Sequence, residues 1–367
     1  MEREGLKRMK EQQIQQFNHD LLDWFHRKGR RLPWRKTDNP YYIWISEVML
    51  QQTQVNTVIP YYNQFIKKFP TPEALADAPE QEVLKSWEGL GYYSRARNLQ
   101  KGVREMVATY NSELPKNKSD LLSLTGIGPY TASALMSMAY HEPEPAIDGN
   151  LMRVLSRIFL IDDDIAKQKT RKKFEKLASD LIVQTEPASF NQALMDLGAM
   201  VCRPKIADCS QCPISSHCRA YEEGVQLEYP VKSGKAKPRM LHYAVLLLLD
   251  EQGRFLVEQR PDSGLLAGMW QFPMLSLDEY EDEQQQQAYS RERFQCSVEP
   301  PEAAFSYTHH FSHLIWKLTL RIGRTPSQMK LRKRQCWATM NELKRFPFPV
   351  SHQKVIRWIE KNRPLHT

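Results

Sequence analysis

The sequence predicts two domains of different class, an all-α one over residues 1–221 and an α+β one over residues 241–367, joined by a linker at 222–240. Three observations carry this. From Ile14 to Val201 apolar residues recur at three-to-four spacing, with no convincing strand. The stretch 222–240, EEGVQLEYPVKSGKAKPRM, has no apolar periodicity and is rich in Lys, Pro and Gly. Beyond it, strand-like runs and turn signals take over.

In order, Ile14, Phe17, Leu21, Trp24 and Phe25 mark an amphipathic helix ending near Gly29, and the loop Leu32-Pro33-Trp34-Arg35 follows. Asn39 is a good N-cap and Pro40 a good first helical residue for a second helix through Ile43, Trp44, Val48 and Met49. Glu47 lies inside it. On spacing alone the default is the wet face of the helix. A carboxyl held in an apolar pocket by Trp44, Val48 and Leu50 would instead have its pKa raised from about 4.3 toward neutrality and be a usable acid. Further helices are expected over 55–69, 79–87, 93–110, 170–185 and 187–201. The interruption EGLGYYSR at 88–95 puts two glycines, two tyrosines and an arginine in one turn, by default a helix connection with a tyrosine packed inward.

The stretch 124–150, LTGIGPYTASALMSMAYHEPEPAIDGN, organises the N-terminal domain. A short capped helix over 119–123 leads into the tight turn Gly126-Ile127-Gly128, and Pro129 opens a helix running to about Tyr140. The new helix offers unpaired N–H groups at the positive end of its dipole, where a DNA phosphate fits; the plain alternative is a ligand-free connection. Asp148 falls at or just before the start of the next helix, marked by Leu151, Val154, Leu155 and Ile158.

Four of the six cysteines crowd together as C-x6-C-x2-C-x5-C at Cys202, Cys209, Cys212 and Cys218, which points to a metal site and not to disulfides. Thiolates suit zinc or an iron-sulfur cluster; zinc ribbons usually have two close pairs and only Cys209 and Cys212 make one, which favours a cluster. Past the linker, strands are expected over 243–249, 255–259 and 314–322, a turn at 250–253, and helices over 278–293 and 350–362. A formal net charge of +8 suits a polyanionic partner but is shared by many proteins without one. No run approaches the roughly 18 apolar residues of a membrane span and the N-terminus has no apolar h-region, so a soluble, intracellular protein is expected; a cytoplasmic location in a bacterium and a monomeric state are expected as well.

GIGPYTA followed by IDGN resembles the helix-hairpin-helix DNA glycosylases and, within them, the MutY-type adenine glycosylases; SEVMLQQT around Glu47 and the cysteine spacing extend the likeness over most of the chain. The resemblance implies a hydrolase that removes adenine from double-stranded DNA containing A:8-oxoguanine or A:G mispairs, with a [4Fe-4S] cluster on the four cysteines presenting Arg203 and Lys205 to phosphate. Glu47 would be the acid toward N7 of adenine, ionised Asp148 the stabiliser of the cationic sugar, and Asn150 its hydrogen-bonding support. Gly126 and Gly128 would hold a phosphate, Trp34, Arg35 and Gln192 would form the adenine pocket, and Leu90 and Tyr92 would wedge into the duplex beside Gln52 and Thr53. Endonuclease III-type lyases carry a Schiff-base lysine where this chain has Tyr130, a phenol that cannot make that adduct. A bifunctional lyase on oxidised pyrimidines and a non-catalytic lesion-binding protein are the two rival readings. The second domain is similar to the Nudix fold, with GMWQFP at 268–273, but lacks the clustered glutamates of a pyrophosphatase. Phe311-Ser312-His313 matches the loop that contacts 8-oxoguanine in the family; by default it is a strand-entry loop with a satisfied histidine.

Overall fold

The computed structural model describes residues 9–183, 185–234, 237–301 and 305–362; Lys235 and Ala236 of the expected linker, and the outermost residues of both expected domains, lie outside these. The chain divides into two compact units, Met1–Asp77 with Asn98–Gly234, and Ala78–Arg97 with Lys235–Thr367. Against the expected spans of 1–221, 222–240 and 241–367, the segment Ala78–Arg97 clusters with the C-terminal sheet and residues 222–234 of the expected linker cluster with the first unit.

The first unit is helical. Helices α1 (Glu11–Lys28), α2 (Pro40–Leu50), α3 (Val55–Lys68) and α4 (Pro72–Asp77) are separated from the rest by the Ala78–Arg97 segment, which contains α5 (Glu80–Ser86) and the start of α6 (Ser94–Thr109). Then come α7 (Lys118–Ser123), α8 (Pro129–Ala139), α9 (Gly149–Phe159), α10 (Gln168–Ile182), α11 (Pro187–Met200) and the single turn α12 (Arg219–Glu222). Asn39 caps α2 as its sequence indicates, accepting from Tyr41 N at 2.9 Å. Every residue of α2 from Ile43 to Met49 is buried, so it is a core helix and not an amphipathic one, and Glu47 goes inside with it. It packs on α3 and α8, while α9 packs on α11 around Phe17, Leu21, Leu151, Leu155, Phe190 and Leu194. Gly198 permits that approach: a Cβ there would lie 2.7 Å from Cβ of Asn150.

In the second unit β1 (Arg239–Leu249) runs beside β6 (Leu314–Arg324) in parallel at the centre of a mixed sheet. Strands β2 (Phe255–Gln259) and β4 (Met274–Ser276) pair with β1, β5 (Ser306–His310) with β6, and β3 (Trp270–Gln271) and β7 (Gln335–Ala338) with β2, all antiparallel. The run 244–249 is unbroken apolar sequence because both faces of β1 are covered. Val245, Leu247 and Leu249 face the core shared with α15 (Val350–Asn362), and Ala244, Leu246 and Leu248 face that of α13 (Glu283–Phe294). The one-turn helix α14 (Met340–Leu343), β3, β4, β5, β7 and α4 are additions to the sequence reading; they are too short, or in β5 too polar, to show a period. Among the described residues no helix is long and apolar enough to cross a membrane.

Candidate active site

A cleft of about 2060 Å³ opens in the first unit, and Trp34, Arg35, Glu47, Gln52, Thr53, Gly128, Tyr130, Asp148, Asn150 and Gln192 all line it. The core helix α2 brings Glu47 to the floor at 4 % exposure. Burial raises its pKa to about 7; the nearby Asp148 charge pushes it further up, while a hydrogen bond from Tyr130 and the charge of Arg35 pull it down. Tyr130 lies in the first turn of α8 and its hydroxyl donates to Oε2 of Glu47 at 2.7 Å. Burial, the Glu47 charge and the Asp148 charge hold that phenol well above its usual range, so it remains a donor.

Asp148 is the N-cap of α9. Its Oδ1 accepts from Leu151 N at 2.7 Å and its Oδ2 from Nδ2 of Asn150 at 2.9 Å, the support expected of Asn150. Burial raises the Asp148 pKa, and these donors together with the Arg153 charge oppose the rise. Arg153 continues the chain of contacts: Nη2 donates to Oδ1 of Asn150 at 2.8 Å and to Gly198 O at 2.7 Å, and Nε donates to Cys202 O at 2.8 Å. Buried Asn191 fixes the approach to Asp148, accepting from Ala146 N at 2.9 Å and donating to Ser137 Oγ and Glu144 O.

The remaining expected pocket residues are held in different ways. Trp34 is buried, edge-on to Tyr62 with ring centroids 5.3 Å apart, and Gln192 is half-buried. The Arg35 guanidinium is bound by the fully buried Asp196, Nη1 to Oδ2 at 2.8 Å and Nη2 to Oδ1 at 2.9 Å, and Arg30 Nε joins the same carboxylate at 2.8 Å. Arg35 therefore shapes the wall as half of an ion pair and is not a free cation facing the cleft. Gln52 is exposed with φ of 56°, and Thr53 is half-buried beside it. Gly126 takes φ of 87° and would put a Cβ 3.2 Å from the backbone of Asn98, so the hairpin needs glycine there. Gly128, at an ordinary negative φ, is exposed at the N-cap of α8 with open space in front of it. Glu105 ties the hairpin down, accepting from Thr125 N and Thr125 Oγ1, each at 2.7 Å.

Cys202, Cys209, Cys212 and Cys218 border one small cavity with Arg157. Among the described residues no three His, Cys, Asp or Glu side chains are gathered so as to hold a single ion. Burial, and then the charge of Cys202, pushes the Cys209 thiol up; burial pushes Cys212 up to about 12 and Cys218 upward as well, with loop N–H groups opposing and the charge of neighbouring cysteines adding to the rise. Thiols that penalise one another's charge around a common space fit a polycationic group placed between them. The loop is braced from behind by Arg157, 1 % exposed, which donates to Cys202 Sγ at 3.1 Å, Arg203 O at 3.0 Å, Pro204 O at 3.2 Å and Tyr229 O at 3.1 Å. Arg203 and Lys205 are exposed on its outer side.

In the second unit, Leu90 is buried at 6 % while Tyr92, at φ of 47°, is 43 % exposed, so of the two expected wedge residues only Tyr92 points outward here. Phe311-Ser312-His313 forms the turn between β5 and β6. Phe311 packs edge-on against Trp316 at 4.8 Å, and Ser312 and His313 are exposed beyond it.

Comparison with known proteins gives the site a family. Residues 45–180 match the HhH-GPD superfamily of base excision DNA repair proteins, and residues 244–358 match the NUDIX domain. The chain is 34% identical to adenine DNA glycosylase of Rattus norvegicus over 95% of this chain and 78% of that protein. The chain belongs to the adenine DNA glycosylase family. Adenine DNA glycosylase of Homo sapiens is 32% identical over 96% of this chain and 75% of its own length, and that of Arabidopsis thaliana is 36% identical over 85% of this chain but only 58% of its own length. A thermostable thymine-DNA glycosylase of known structure superposes with a TM-score of 0.52 at 29% identity, covering 57% of this chain and 97% of that one. An adenine DNA glycosylase hydrolyses an N-glycosyl bond in base excision repair, and Glu47 and Asp148, which line the cleft, both lie within the part of this chain that the HhH-GPD match covers.

Proposed function

We propose that this enzyme is monofunctional and excises adenine mispaired with 8-oxoguanine, and with guanine, by water-mediated hydrolysis. The observation that carries the reading is a carboxyl poised at a pKa of about 7, in one cleft with a second, multiply hydrogen-bonded carboxylate. At neutral pH a sizeable fraction of Glu47 is protonated and able to give its proton to N7 of an extruded adenine, making it a better leaving group. Asp148 has donors at both oxygens and the positive end of α9 behind it, so an ionised carboxylate there faces the cationic sugar that forms as the base departs. Glu47, now ionised, takes the proton of the attacking water. Tyr130 orients Glu47 throughout. A phenol hydrogen-bonded to Glu47 in place of an amine leaves no Schiff-base route, which disfavours the lyase reading.

Cys202, Cys209, Cys212 and Cys218 would hold a [4Fe-4S] cluster, whose part is to fix the basic loop that carries Arg203 and Lys205. Tyr92 enters the duplex and helps the adenine out of the stack, a movement costing a few kcal/mol. Phe311 anchors the turn that lets Ser312, able both to donate and to accept, read the C8 oxygen and N7 proton of 8-oxoguanine. The test is a labelled A:8-oxoguanine duplex under single-turnover conditions. Strand breaks at the adenine should appear only after alkali, with little complex trapped by borohydride. Direct nicking with efficient trapping would overturn the monofunctional reading, and an intact strand after alkali would overturn excision itself.

A further inference from the structure

The turn that carries Tyr92 is built as part of the C-terminal unit. Gln81 on α5 reads two groups at the start of β3 with one amide, donating to O of Gly268 in the preceding loop at 3.0 Å and accepting from Nε1 of Trp270 at 3.0 Å. Trp270 is stacked on Phe346 with centroids 4.4 Å apart. Just past α5, Oε1 of Glu88 accepts from Phe348 N at 2.8 Å, and Lys85 Nζ bridges Oε2 of Glu88 at 2.7 Å to Phe346 O at 3.0 Å. On the other side of the turn, Arg97 donates to Asp262 O at 2.8 Å. Between these anchors the backbone leaves little slack. Gly89, Gly91 and Tyr92 all have positive φ, the Trp87 indole donates to Gly91 O at 3.2 Å, and the Arg95 guanidinium lies between the Trp87 and Tyr92 rings at 5.4 and 5.5 Å. The exposed tyrosine thus sits four residues from a carboxylate bound to a backbone N–H in the 346–348 segment.

We infer that Glu88 is a positioning residue for base extrusion: by clamping Phe348 N and Lys85 it makes the presentation of Tyr92 depend on the C-terminal unit, which reads the lesion strand. This rests on the assignment of Tyr92 as the residue that enters the duplex. A charge-assisted hydrogen bond is among the stronger single contacts, so its loss at a turn under positive-φ constraint loosens the turn, while the adjoining sheet core, in which Phe348 is stacked on Phe272 with centroids 5.6 Å apart, keeps its apolar packing.

The experiment follows extrusion and excision in the full-length protein with Glu88→Ala, Glu88→Gln and Tyr92→Ala. Extrusion is read by stopped-flow fluorescence of 2-aminopurine placed next to the target adenine, opposite 8-oxoguanine. A second duplex, with the adenine opposite an abasic site, supplies a base that needs little help to leave the stack. Glu88→Ala should slow extrusion on the first duplex by about tenfold, leave excision from the second nearly unchanged, and speed amide exchange in 88–93 and 346–348 alone. Glu88→Gln keeps an acceptor for Phe348 N and should recover part of the rate. Wild-type extrusion by Glu88→Ala, or an equal loss on both duplexes, overturns the inference. If Tyr92→Ala also extrudes at the wild-type rate, the wedge assignment has failed; if only Tyr92→Ala is slow, the coupling has.

Discussion

Replacing Glu47 by Gln should stabilise the fold at alkaline pH while abolishing excision, and the size of the effect follows from its environment. The carboxyl is buried and its pKa is raised from 4.5 to about 7, burial being the largest cause. A folded pKa above the unfolded one means that the native state binds more protons between those values, so stability falls as pH rises through that window. The cost is nearly absent below about 4.5 and complete above about 7. A gap of two and a half pH units, at about 1.4 kcal/mol for each, amounts to about 3 kcal/mol. Glutamine has the shape of the neutral carboxyl, still accepts from Tyr130 and carries no charge, so it escapes that cost. Denaturant unfolding of both proteins at pH 5 and pH 8 measures it. The variant should be more stable by less than about 1 kcal/mol at pH 5 and by up to about 3 kcal/mol at pH 8. A difference independent of pH, or a wild type that is the more stable at pH 8, would refute the buried, raised carboxyl.

Tyr130→Phe removes the hydrogen bond that lowers the Glu47 pKa, so the alkaline limb of the single-turnover pH profile should move to higher pH, with a lower maximum from lost orientation; an unmoved limb would separate the two residues. Purified protein should be yellow-brown and contain about four irons per chain, whereas one zinc and no visible absorbance would end the cluster assignment. The double change Ser312→Ala with His313→Ala should lower excision of A:8-oxoguanine relative to A:G by roughly 5- to 150-fold, the worth of one buried polar contact; an unchanged ratio would remove that turn from lesion reading.

What the sequence made legible was local chemistry. Asn39 and Asp148 announce themselves as helix caps, and both cap as expected. Asn150, two residues from Asp148, has reach enough for the bond it makes. Glu47 was legible only through its motif, because a helix buried all round has no wet face against which a pattern could place it. Long-range polar pairing was not legible. Asp196, Asn191, Arg153 and Arg157 are each buried and satisfied by groups distant in sequence. The available signal was a charged or amide side chain on an apolar stripe: Asn191 and Asp196 among the leucines and alanines of α11, and arginines four apart in α9. The grouping of Ala78–Arg97 with the sheet escaped for the same reason, since its anchors are mostly backbone groups more than 160 residues away, which composition does not reveal.

The most direct test of the two-carboxylate site is Asp148→Asn, which removes a charge while keeping shape and the Leu151 N–H acceptor. Binding to an A:8-oxoguanine duplex should stay within about threefold of wild type, while single-turnover excision falls by roughly a thousandfold, the scale of losing electrostatic stabilisation of a transition state. Excision within tenfold of wild type, with the duplex still bound, would contradict the role given to Asp148.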